Sequence, residues 1–149
     1  NRRSPQSELF FYNTIIGSKN ICFVDNRTYD LLSISHAALV TSGTATLETA
    51  LFKVPQVVCY KASLISYQIA KRIITLRFIS LVNLIMDKEV VKELIQHDFT
   101  KKNLIKELNI ILDVNYRASL FETYNELEEI LGGKGASENT ALSILSNFK

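Results

Sequence analysis

The 149-residue chain carries 47% hydrophobic and 21% charged residues and a formal net charge of +2, the proportions of an ordinary soluble domain long enough to bury a core. So mild a charge, with no interleaving of aromatic and basic residues, argues against nucleic acid as a partner. Charge interrupts every apolar run well before the ~18 residues of a membrane span.

The start, Asn1-Arg2-Arg3-Ser4-Pro5-Gln6, has the character of neither a signal nor a transit peptide. Without an initiator Met, the chain is expected to be the tail end of a longer protein. Leu9 to Ile16 suits a short helix stopped by Gly17. Ile21 to Asp25 is a β-branched and aromatic run of the buried parallel-strand type. Thr28 to Ser35 reads as a helix, Ala37 to Thr41 as a strand, Thr44 to Phe52 as a helix closed by Val54-Pro55, and Gln56 to Tyr60 as a strand. Strand and helix alternating at these intervals predict parallel β-α-β units. Beyond Tyr60 the pattern turns helical. Ser63 to Leu76 is amphipathic, Phe78 to Ile85 is strand-like or irregular, and helices are expected over Lys88 to Gln96, Thr100 to Leu112 (Thr100 as N-cap) and Tyr116 to Leu131. After Gly132-Gly133-Lys134-Gly135, Ser137 is expected to cap a last helix carrying Ala141, Leu142, Leu145 and Phe148. The fold class is therefore α/β, a Rossmann-like parallel sheet with flanking helices, followed by a helical C-terminal tail. Residues 1–131 form the main domain, and 132–149 a linker and amphipathic helix.

Cys22 and Cys59 each lie inside an apolar strand-like run and lack metal-ligand spacing, as buried reduced thiols do. His36 and His97 are far apart with no carboxylate cluster, which argues against a metal site. The informative stretch is Ala38 to Leu51, a strand, a turn Thr41-Ser42-Gly43-Thr44, and a helix. Such a turn aims the free N–H groups of the first helical turn at one spot, where the helix dipole also favours an anion. Glu48, one turn past Thr44, suits a sugar hydroxyl rather than a phosphate. The local reading is a nucleotide-diphosphate pocket, although Ser, Gly and Thr also serve as plain caps and turn residues, and Glu48 would serve as a solvated helix residue. The chain has no Asp-x-Asp pair for a divalent metal, no Gly-x-Gly-x-x-Gly and no phosphate-loop lysine motif. The diphosphate charge then falls to N–H groups and cationic side chains. Lys61, Lys71, Arg72 and Arg77 near Tyr60 and Tyr67 suit an anionic membrane surface or a lipid, or equally a solvated basic face. Asn83, in the apolar setting Leu81-Val82-Asn83-Leu84, needs a hydrogen-bond partner from backbone or ligand.

Ala37 to Glu48 resembles the donor-nucleotide loop of the lipid-A-disaccharide synthases. The likeness runs on through Val54-Pro55-Gln56-Val57-Val58-Cys59-Tyr60-Lys61, Ile69-Ala70-Lys71-Arg72, Ile79 to Leu84 and Glu89 to Gln96. The resemblance implies the donor-binding half of an inverting, metal-independent, B-type glycosyltransferase that needs no cofactor. Its donor is UDP-2,3-diacylglucosamine and its acceptor 2,3-diacylglucosamine 1-phosphate. It works as a peripheral protein on the cytoplasmic face of a bacterial inner membrane. Carried over, Ser42, Gly43 and Thr44 cradle the diphosphate, Glu48 binds the ribose, Tyr60 and Lys61 border the donor pocket, and Asn83 matches the family's functional asparagine as the catalytic candidate. The family's Ser-Leu-Pro-Asn has Val82 in place of proline here. Its upstream Pro-Gly-Ser-Arg loop and its acceptor half, with the general base, are not in this sequence. The isolated chain is thus expected to bind UDP weakly and to catalyse nothing, and its last helix to drive self-association. Alternatives are another B-type enzyme using UDP-N-acetylglucosamine, an epimerase or a peptidoglycan transferase, and a non-catalytic α/β binding domain.

Overall fold

A computed structural model describes residues 24–41, 43–62, 77–132 and 135–147. The helix expected over Leu9–Ile16, Cys22 with most of its strand, Ser42, the helix over Ser63–Leu76 and Phe148 lie outside the described residues. The chain divides into two compact units, Asn1–Ile34 and Ser35–Lys149. The first contributes helix α1, Thr28–Ile34, on which Leu32 is buried and Arg27 Nε pairs with Asp30 at 2.8 Å.

The second unit is built on a parallel sheet of β1 (Ala38–Val40), β2 (Gln56–Tyr60) and β3 (Lys92–Ile95), in that spatial order. The register sets Val40 opposite Val58 and Tyr60 opposite Ile95. In the central strand, alternation sends Val58 to one face and Val57 and Cys59 to the other, and burial on both faces explains why Val57-Val58-Cys59 is continuously apolar. Helices α2 (Thr44–Leu51), α3 (Leu81–Met86) and α5 (Val114–Ile130) cover the Val58 face with Ala50, Val82, Leu120, Tyr124 and Leu127. Helix α4 (Lys101–Leu112) covers the other face, where Ile111 packs with Val57, Cys59 and Leu94. Thr100 caps α4 as expected, its side chain accepting from the Asn103 N–H. Asp113 caps α5 by accepting from the N–H groups of Asn115 and Tyr116. Helix α6 (Ala136–Asn147) begins one residue before Ser137, and its Leu142 and Leu145 are exposed.

Two expectations are corrected. Phe78 to Ile85, expected to be strand-like or irregular, is irregular only as far as Ser80, since Leu81 to Met86 is helical, capped by Ser80 and ended by Asp87 in the left-handed conformation. A short apolar run fits helix or strand alike, and only the cap distinguishes them here. Nor is Lys88 to Gln96 a helix. The segment supplies β3, because Val57 to Tyr60 of β2 offers a ladder partner that outweighs the helix propensity of Lys, Glu and Leu.

Candidate functional site

Ligands of parallel α/β sheets sit beyond the carboxyl ends of the strands, and four features meet at that edge here. Gly43 follows β1 with φ 133 and ψ −163, a region open almost only to glycine. A Cβ placed there would meet nothing within 4 Å, so the requirement is one of backbone geometry and not of space. Gly43 is the N-cap of α2 and gives it no side-chain cap. The N–H groups of Thr44 and Ala45 have no partner among the described residues, so the positive end of the helix dipole has no acceptor among them. Glu48 stands one turn further along, half-buried, and its carboxylate has no hydrogen bond or ion pair among the described residues. Tyr60 ends β2 at 39% exposure with Lys61 exposed beside it.

Gln96, which sequence reasoning missed, closes this edge. It is buried, with φ 51; its N–H donates to Tyr60 O at 2.9 Å and its Nε2 to Ala62 O at 3.3 Å. It therefore ties the end of β3 to the end of β2. The only sequence signal for it was the polar break Gln96-His97-Asp98 after an apolar run, readable as a strand end once β3 is known.

Asn83 does not join the group at the edge. It is fully buried on α3, and its Oδ1 accepts from the N–H groups of Val90 and Val91 at 2.8 and 2.9 Å. Its Nδ2 donates to Val91 O at 2.8 Å and Glu93 Oε1 at 2.9 Å. Both donors and both acceptor sites of the amide are thus taken. The Glu93 carboxylate also accepts from the N–H groups of Ile79 and Ser80, each at 2.9 Å. Register places Glu93 opposite Val58, two residues short of Tyr60. Asn83 thus reaches the strand ends through the segment it holds and not through an atom of its own.

Burial raises the Cys59 thiol above its usual value and raises the Tyr124 phenol far above the tyrosine range. Cys59 is a free, buried thiol on β2. His97 and the side chain of His36 are exposed, and the His36 carbonyl accepts from Arg117. No group of three His, Cys, Asp or Glu able to hold a metal occurs among the described residues. Nor, among them, is any helix long and apolar enough to cross a membrane. Lys71, Arg72 and Tyr67 of the basic patch, like Ser42, lie outside the described residues.

A parallel sheet flanked by helices, with an uncapped helix N-terminus and an acidic residue one turn on at its carboxyl edge, defines a Rossmann-like α/β domain. The family model for lipid-A-disaccharide synthetase matches residues 12–140. Over 127 residues the chain is 40% identical to the lipid-A-disaccharide synthase of Syntrophus aciditrophicus, covering 85% of this chain and 33% of that protein. It is 46% identical over 88 residues to that of Psychromonas ingrahamii, covering 59% and 23%. With that of Hahella chejuensis it shares 38% over 115 residues, covering 77% and 29%. The chain belongs to the lipid-A-disaccharide synthetase family, glycosyltransferases of lipid A biosynthesis. The chain spans between 23% and 33% of the length of these relatives.

Proposed function

We propose that this chain is the donor-nucleotide part of a lipid-A-disaccharide synthase. The whole enzyme transfers 2,3-diacylglucosamine from its UDP donor to 2,3-diacylglucosamine 1-phosphate with inversion, and releases UDP. The observation that carries this reading is the open N-terminus of α2 beside β1, with Glu48 one turn along. In the proposal, residues 1–131 form the donor domain and 132–149 a linker and final helix.

The N–H groups of Thr44 and Ala45, with the hydroxyls of Ser42 and Thr44, receive the diphosphate, and Gly43 keeps the approach clear. Negative charge grows on the β-phosphate as the glycosidic bond breaks. Dipoles already aimed at it stabilise that charge without having to reorganise. Glu48 accepts hydrogen bonds from the ribose hydroxyls, while Tyr60 and Lys61 border the pocket and Lys61 adds a positive charge. Asn83 is a positioning residue in this scheme, holding Glu93 and the start of α3. No metal or cofactor takes part, and the general base belongs to the acceptor half. The enzyme sits peripherally on the cytoplasmic face of the inner membrane, and α6 supplies a self-association surface. Without the acceptor half, this chain binds UDP weakly and does not turn over.

Calorimetric titration of UDP into the chain, with EDTA and then with Mg²⁺, tests the reading. Weak saturable binding, equal in both, supports it. Absence of binding by UDP, or binding only with the metal, contradicts it.

A further inference from the structure

We infer that Gln56, buried at the start of β2, is a positioning residue that sets the direction of the anion-binding N–H groups of α2; this rests on the donor-site reading above. Gln56 is 1% exposed, and its Nε2 donates to Thr46 O at 2.8 Å. Thr46, itself fully buried, turns both its N–H (3.2 Å) and its Oγ1 (2.8 Å) onto Gly43 O. The Gly43 carbonyl is thus held down into the helix by two donors. In a trans peptide the C=O of one residue and the N–H of the next point in opposite directions. Clamping Gly43 O inward therefore aims the Thr44 N–H outward, toward the ligand edge. Gln56, at the far end of β2 from Tyr60, reaches the site through Thr46.

The other half of the same amide shows that the residue contributes more to geometry than to stability. Gln56 Oε1 is buried and has no hydrogen-bond partner among the described residues. A buried carbonyl left without a donor costs free energy that offsets the bond made by Nε2. An apolar side chain of the same length fills the space without that cost, and what it loses is the hold on Thr46 and the polar contact with the Tyr124 phenol.

The test uses the 149-residue chain and three variants: Gln56→Met and Thr46→Val, which cut the relay at different links, and Thr46→Ser, which restores the hydroxyl. In the ligand-free chain, amide hydrogen exchange at Thr46 should accelerate at least tenfold in Gln56→Met and Thr46→Val. Val57 and Val58 should exchange as in the wild type, and Thr46→Ser should behave as wild type. Unchanged exchange at Thr46, or uniform acceleration through β2 and α2, overturns the inference. With UDP, both disrupting variants should raise Kd three- to tenfold, and the double variant should be no worse than the weaker-binding single one. Additive losses in the double variant overturn the single relay. Failure of the wild-type chain to bind UDP sinks the donor-site reading alone, and the ligand-free exchange still decides the role of Gln56.

Discussion

Helices α2 and α3 pack into one core on the same face of the sheet, yet their N-termini are in opposite states. At α3 the Ser80 hydroxyl accepts from the Asn83 N–H, and Glu93 accepts from the N–H groups of Ile79 and Ser80. The chain's own carboxylate fills the place an anion would take. At α2 no side chain among the described residues caps the helix, Gly43 holds a backbone conformation few residues adopt, and the N–H groups of Thr44 and Ala45 have no partner among those residues. An N-terminus supplied with an internal anion is architecture, whereas one left open at the carboxyl edge of a parallel sheet can receive an external anion. The difference separates two residues that the sequence groups together. Gly43 belongs to the open end and Asn83 to the closed one.

The largest effect is expected at the closed end. Asn83→Ala strips partners from two N–H groups, a carbonyl and a carboxylate, and should cost about 3 kcal/mol or more of stability in urea unfolding. A cost below about 1 kcal/mol would show that the network is dispensable. Gly43→Ala should cost about 1–3 kcal/mol through backbone strain alone, since the added methyl meets no neighbour, and should abolish UDP binding as well. Glu48→Ala should leave stability within about 0.5 kcal/mol while weakening UDP about tenfold by calorimetry, equivalent to about 1.4 kcal/mol. Unchanged affinity would remove Glu48 from the site.

The core beneath both helices gives a pH test of smaller reach. Burial raises the Tyr124 phenol from its ordinary 10.0, so the folded chain holds that proton more tightly than the unfolded chain does. Its contribution is complete below about pH 10 and is lost as pH rises through the alkaline range, by about 1.4 kcal/mol per pH unit. Urea midpoints measured between pH 9 and 11 should fall less steeply in Tyr124→Phe than in the wild type, and equal slopes would place the alkaline loss elsewhere.

How far the fold was legible follows from the range of the forces involved. Gln56 to Tyr60 was readable because Val57 to Cys59, buried on both faces, is apolar at every step, and α4 because Thr100 announces its start. Ala38 to Leu51 was readable for the same local reasons, a β-branched end, a glycine and a hydroxyl-rich turn. Lys92 to Ile95 was not, because its strand state is set by β2, distant in sequence. The saturation of Asn83 was hidden for a similar cause. Its partners Val91 and Glu93 come into reach only once α3 folds back beside β3. Gln56 and Gln96 lie in segments that resemble the family, but no local pattern gives their roles, which come from where strand ends and helix carbonyls meet in space.

The most direct test of the contrast between the two helix ends is an amide NMR titration of the chain with UDP, following both ends in one experiment. Shifts are expected at Gly43 to Glu48 and at Tyr60 and Lys61, with the amides of Ser80, Asn83, Val90 and Val91 unmoved. Shifts centred on Ser80 to Asn83, with Gly43 to Glu48 silent, would contradict it.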